Sequence, residues 1–158
     1  MTELKLYSTT NMEKLIELIK KARFVFVCGN GGSAATAEHL SNDLFSCGIK
    51  AFCLNSNVSI ITMIANDFGY EYVFSKQMEL LANDEDLLIV ITGSGKSKNI
   101  VNAVKKAPCK SFALVGMGGG DVIKFTDFYL TSKFDEYGKI EDSHMMLVHV
   151  IREALWVK

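Results

Sequence analysis

The sequence predicts an α/β fold, a three-layer α/β/α sandwich around a five-stranded parallel sheet. Three observations carry this. Short apolar runs, Phe24-Val25-Phe26-Val27, Leu87-Leu88-Ile89-Val90-Ile91 and Ser111 to Gly116, read as strands buried on both faces. They alternate with segments of helical period. Two of them end in glycine–serine turns that open helices. Alternation of this kind places helices on both faces of a parallel sheet.

The elements follow in chain order. Met12, Leu15, Ile16, Leu18 and Ile19 give a helix from Asn11 to Lys21, with Asn11 as its N-cap. A strand from Arg23 to Cys28 runs into Gly29-Asn30-Gly31-Gly32-Ser33 and a second helix, which Gly48 ends. Lys50 to Leu54 is a short strand. Val58 to Ala65 reads as a helix, broken at Asn66-Asp67-Phe68-Gly69-Tyr70, and Tyr72 to Ala82 as another. The strand at Leu87 leads into Thr92-Gly93-Ser94-Gly95-Lys96-Ser97 and a helix from Lys98 to Ala107, stopped with the help of Pro108. After the strand at Ser111 come a glycine turn from Met117 to Gly120 and a short helix or turn over Asp121–Thr126. A weaker strand follows over Phe128–Ser132, then a polar stretch over Asp135–Lys139. Ile140 to Val157 closes the chain as a helix.

A chain of 158 residues fits a single domain, 1–158, with a sizeable core. Its 49% hydrophobic and 22% charged residues are ordinary for a soluble globular protein. A net charge of -1 offers no electrostatic basis for nucleic-acid binding. No apolar run approaches the ~20 residues of a membrane helix. Met1-Thr2-Glu3-Leu4-Lys5 lacks the form of a secretion signal. The expectation is a cytoplasmic protein with neither nucleic-acid nor membrane partners. Cys28, Cys47, Cys53 and Cys109 show no CxxC spacing and read as free thiols in a reducing compartment.

Chemistry concentrates in the two glycine–serine turns and in two helices. In an open α/β sheet, ligands bind outside the carboxyl ends of the strands, where both turns fall. A strand, a glycine-rich turn and a helix N-terminus form an anion site, and Ser33 adds a hydroxyl to the first. The second turn offers Thr92, Ser94, Ser97 and Lys96. Its hydroxyls could simply be N-caps, which accounts for one of them but less well for three. The spacing matches neither a dinucleotide fingerprint nor a P-loop. His39 and Asp43, at i and i+4, share a helix face. Glu141 and His149, eight residues apart, lie roughly 80° apart around the closing helix; His144 is off that face. Surface pairs and core histidines explain each residue singly. Together, two histidines and two carboxylates would suit a divalent metal such as zinc.

In this order the motifs resemble the sugar isomerase (SIS) domains, and most closely the phosphoheptose isomerase family. The resemblance rests on Gly29-Asn30-Gly31-Gly32-Ser33 with His39, Asn66-Asp67-Phe68-Gly69, Thr92-Gly93-Ser94-Gly95-Lys96-Ser97 and Glu141…His149. It covers the chain from about Asn11 to Leu155. The resemblance implies conversion of sedoheptulose 7-phosphate to D-glycero-D-manno-heptose 7-phosphate in the making of bacterial surface heptoses. It also implies a homotetramer, or a dimer if the short N-terminus prevents one. Ser33, Thr92, Ser94 and Ser97, with Gly31 and Gly32, would hold the phosphate. Asn30, Asp67 and Glu141 would face the sugar. His39, Asp43, Glu141 and His149 would hold a divalent metal, expected to be Zn2+. Asp43 and His149 would also form the acid/base pair.

The chain departs from the family pattern. Asp43 stands for the usual Glu, Glu141 for Gln, and Lys96 for Asn. Phe45, Ser46 and Cys47 stand where an arginine often follows the catalytic Glu. The alternative the resemblance leaves is a non-catalytic SIS domain that binds a phosphosugar or a replication initiator.

Overall fold

The computed structural model describes residues 9–156. Among these, five strands make one sheet: β1 (Val25–Gly29), β2 (Ala51–Cys53), β3 (Leu87–Thr92), β4 (Lys110–Val115) and β5 (Phe128–Thr131). The order is β2-β1-β3-β4-β5 and every neighbouring pair is parallel. Six α-helices connect and cover them: α1 (Thr9–Lys21), α2 (Gly32–Ser46), α3 (Val58–Asp67), α4 (Ser75–Leu81), α5 (Lys98–Lys106) and α6 (Tyr137–Leu155).

The period of two along each strand splits the core. Val25, Val27, Leu87, Ile89, Ile91, Phe112 and Leu114 pack with apolar residues of α1, α2 and α6. Phe26, Cys28, Leu88, Val90, Ala113 and Val115 pack with α3, α4 and α5. This two-sided burial explains why the central strands read as unbroken apolar runs. Fully buried Phe112 and Leu15 each contribute roughly 1.5–3 kcal/mol of transfer free energy.

The expected three-layer α/β/α sandwich with a five-stranded parallel sheet is therefore present. Several boundaries differ, for local reasons. α1 starts at Thr9, so Asn11 lies within the helix and is not its cap. Its side-chain amide instead donates to the Tyr129 carbonyl at 2.8 Å, tying α1 to the edge strand β5. α3 runs on through Asn66 and Asp67, its start capped by the Asn57 side chain accepting from the Ile60 N–H. The helix expected from Tyr72 begins only at Ser75, after a 3-10 turn over Tyr70–Tyr72. α6 begins at Tyr137 rather than Ile140, taking in the end of the stretch read only as polar, Asp135–Lys139. The N-terminal segment Met1–Lys5 and the expected end of the last helix at Val157 lie outside the described residues.

The strand order places the site. In this order the direction of strand addition reverses between β1 and β3, and open α/β sheets bind ligands at that switch. The two glycine–serine turns are the ones that leave β1 and β3. No helix among the described residues is long and apolar enough to cross a membrane.

Candidate active site

The first turn leaves β1 at Gly29, and Gly31 occupies the N-cap of α2 at φ 57, ψ -126. A residue with a Cβ would be strained there. The N–H groups of Ser33 and Ala34 close back onto the Asn30 and Gly31 carbonyls, so part of the helix start is satisfied within the turn. Ser33 is buried. In the second turn Thr92 is buried and its hydroxyl accepts from the Gly95 N–H at 3.2 Å. The Ser94 hydroxyl accepts from the Lys96 N–H at 3.3 Å. Ser97 occupies the N-cap of α5 with no side-chain capping bond. The ordinary capping role therefore does not account for its hydroxyl.

The turns are joined by a pair of side chains. The Asn30 amide donates to Asn99 Oδ1 at 2.9 Å, and the Asn99 amide donates to Asn30 Oδ1 at 2.8 Å. Asn99 is buried, and its Oδ1 also accepts from the Ile100 N–H at the start of α5. Tyr70 donates its hydroxyl to Asn30 Oδ1 at 3.0 Å, drawing the segment after α3 to the same place. Both polar atoms of Asn30 are thus engaged by protein. Asp67 lies exposed at the end of α3 and accepts from the adjacent Asn66 side chain. No long-range contact in the sequence pointed to Asn99 or Tyr70.

The remaining residues sit on the seam where α2 and α6 run side by side in the same direction. Near its start, Glu141 approaches Gly32 so closely that a Cβ on Gly32 would lie 2.4 Å from the carboxyl group. Further along, His39 and His149 face each other with Nε2 atoms 3.2 Å apart and ring centroids 5.1 Å apart. His39 Nε2 is 3.4 Å from Asp43 Oδ2. Asp43 is buried, and its Oδ2 has no hydrogen-bond partner. An orphaned buried carboxylate oxygen is costly and calls for a ligand.

One donor atom from each of His39, Asp43 and His149 lies within 4.8 Å of the other two. Metal–ligand bonds of ~2.0–2.1 Å in a tetrahedron require donors ~3.3 Å apart. The 3.2 Å between the two Nε2 atoms and the 3.4 Å from His39 Nε2 to Asp43 Oδ2 match that spacing. These residues fit a divalent cation. Of the four ligands expected, the structure brings three together. Glu141 is outside that set and lies against the start of α2.

The buried His144 is a core residue. Its ring lies 3.3 Å from the Val115 carbonyl through Nε2, and burial pushes its pKa down to about 4. Burial also raises the Cys53 and Cys109 thiols to about 11, and Cys28 well above its usual value. All four cysteines are free, as expected.

Residues 9–119 match the family model described as SIS domain. A phosphoheptose isomerase from Helicobacter pylori (strain P12) is 37% identical over 150 residues, covering 89% of this chain and 78% of the relative. The solved structure of a phosphoheptose isomerase from Francisella tularensis superimposes with a TM-score of 0.87 at 30% identity. That match covers 93% of this chain and 85% of the other. The chain belongs to the phosphoheptose isomerase family of SIS domains. A phosphoheptose isomerase from Neisseria gonorrhoeae gives a TM-score of 0.88 at 30% identity over the same shares. The family model ends before α6, so His149 and Glu141 lie beyond the matched residues. The match to the Helicobacter phosphoheptose isomerase takes in 89% of the chain.

Proposed function

We propose that this chain is an aldose–ketose isomerase that converts sedoheptulose 7-phosphate to D-glycero-D-manno-heptose 7-phosphate. The observation that carries the proposal is the convergence of His149 of α6 with His39 and Asp43 of α2, the helix that the first glycine turn opens, around a buried carboxylate oxygen that makes no hydrogen bond. Family membership narrows the substrate class to a heptose phosphate.

The phosphate is held by Ser33, Thr92, Ser94 and Ser97 with the backbone of Gly31 and Gly32. Two hydroxyl-bearing turns beside one switch point let the phosphate be gripped from both sides. Asn30, Asp67 and Glu141 face the sugar. Binding the remote phosphate positions the reacting end and lowers the entropic cost of alignment.

Isomerisation removes a proton from C1, passes through an enediol and returns a proton to C2, with matching proton shifts between the two oxygens. Asp43 and His149 divide these transfers. His39, Asp43 and His149 would hold a divalent cation, which we assign as zinc; when bound it would supply Lewis-acid polarisation of the substrate oxygens. The whole chain acts as one SIS domain, in a cytoplasmic homo-oligomer, a tetramer by family likeness.

The test is the metal content of the purified protein, followed by an isomerisation assay with sedoheptulose 7-phosphate. Asp43→Asn and His149→Ala are each expected to lower turnover by roughly 10²-fold or more. Unchanged activity in both would sink the catalytic assignment. Tight sugar-phosphate binding with no turnover by metal-loaded protein would favour the non-catalytic alternative.

A further inference from the structure

The residues that follow Asp43 at the end of α2, Leu44-Phe45-Ser46, and the C-cap Cys47 include no cation. The positive charge beside Asp43 comes from α6. Arg152 Nε lies 3.8 Å from Asp43 Oδ1, on the side of the carboxylate away from His39, which approaches Oδ2. This is an ion pair longer than a hydrogen bond. The guanidinium also lies against an aromatic ring: its central carbon is 4.6 Å from the centroid of Trp156. The backbone beneath it is also tied. The Cys47 thiol donates to the Arg152 carbonyl at 3.8 Å, and the Trp156 N–H donates to that same carbonyl at 2.9 Å.

We propose that Arg152 is a positioning residue for Asp43, held in place by Trp156. A carboxylate has two oxygens and can turn about its bond to Cβ. Engaging Oδ1 with a stacked guanidinium leaves Oδ2 facing His39 and His149. Arginine suits this task because its planar group stacks on an aromatic face and keeps its charge at any working pH. Outer partners of this kind orient a ligand without touching the cation or the substrate. Trp156 is the only tryptophan in the chain, so its emission reports on the guanidinium stacked against it.

The inference rests on the reading of His39, Asp43 and His149 as a cation site, and the experiment separates the two. Cobalt(II) is titrated into metal-free protein, followed by its visible absorption and by tryptophan emission. The full-length wild type is compared with Arg152→Met and Arg152→Lys, and kcat and KM are measured for each. Arg152→Met keeps an apolar stem against Trp156 and removes the charge.

If Arg152 positions Asp43, Arg152→Met weakens cobalt affinity and lowers kcat, each by roughly tenfold, the low end for an outer partner. KM changes little and Arg152→Lys recovers part of the loss. Cobalt binding changes Trp156 emission in the wild type and less so in Arg152→Met. A guanidinium acting only through its charge would repel the cation, so its removal would tighten cobalt binding. Tighter or unchanged affinity in Arg152→Met, with unchanged kcat, overturns the inference. Failure of the wild type to bind cobalt overturns the cation site itself. If Arg152→Met does not fold, Trp156→Leu frees the guanidinium while leaving it present. Unaltered cobalt absorption and affinity there overturn the role given to the stack.

Discussion

Replacing Gly95 with alanine tests whether the second turn is held by backbone contact. Gly95 has φ +65, and a Cβ there would lie 1.9 Å from the Gly119 carbonyl oxygen and 2.5 Å from its carbon. These are backbone atoms, so no flexible side chain can swing aside. Nor can the turn slide freely. The Gly95 N–H donates to the Thr92 hydroxyl, and its carbonyl accepts from the Asp121 and Val122 N–H groups. The left-handed backbone costs ~1–2 kcal/mol once a Cβ is present. Overpacking adds ~1–3 kcal/mol. The total is ~2–5 kcal/mol, or roughly 5–15 °C in Tm for a domain of this size. Gly31 supplies the control: it has φ +57 but nothing within 4 Å of its added Cβ. Gly31→Ala, with no atom in the way, carries only the cost of its own sparsely populated backbone (φ 57, ψ -126), ~1–3 kcal/mol. Calorimetry on the two variants isolates the steric term, and equal Tm losses would refute the reasoning.

Three further outcomes are expected. The unfolded chain takes up a proton on His144 below about pH 6.5, whereas the buried ring refuses one down to about 4. Stability present above pH 6.5 is therefore lost as pH falls through that window, by ~1.4 kcal/mol per unit and ~3 kcal/mol in all. Urea unfolding of wild type and His144→Leu at pH 7 and 4.5 checks this, and identical acid sensitivity would count against it. Asn99→Ala removes the reciprocal partner of Asn30 and should cost ~1–3 kcal/mol, with a raised KM for the sugar phosphate; an unchanged KM would show that the turns keep their spacing without it. Chelation should abolish isomerase activity and lower Tm by the equivalent of ~2.7 kcal/mol relative to protein at 100 times the cation Kd, and activity that survives full chelation would remove the cation from the reaction.

The central strands were legible because burial on both faces leaves a continuous apolar signature, as in Leu87–Ile91. The two turns were legible because glycine and hydroxyl residues mark them locally. Strand order was not, since periodicity carries no information about which strand pairs with which. The same limit hid the Asn30–Asn99 pair and the Arg152–Asp43 pair, each formed between residues remote in sequence. Asn11 was misjudged because a cap-forming residue two positions into a helix looks the same in sequence as one at its start. Its real partner, the Tyr129 carbonyl, lies 118 residues away. His39, Asp43 and His149 were readable as metal-capable residue types on two helix faces, and the family pattern tied them to one site, since spacing brought each helix's residues onto a face but could not bring the faces together. That pattern carried Glu141 with them, whereas its carboxyl lies at the start of α2.

The seam between α2 and α6 has a consequence for which changes in length the chain can absorb. Gly32 meets Glu141 and Asp43 meets Arg152, both at a sequence offset of 109, while His39 meets His149 at 110. The helices advance together like the two sides of a zip. Residues added in the long connection between them leave every pairing intact. One residue deleted within α6 between Glu141 and His149 turns the remainder by ~100°. That carries His149 and Arg152 off the seam at once. Natural and engineered variation in length should therefore collect in the loops between Cys47 and Glu136, and the two helices should keep theirs.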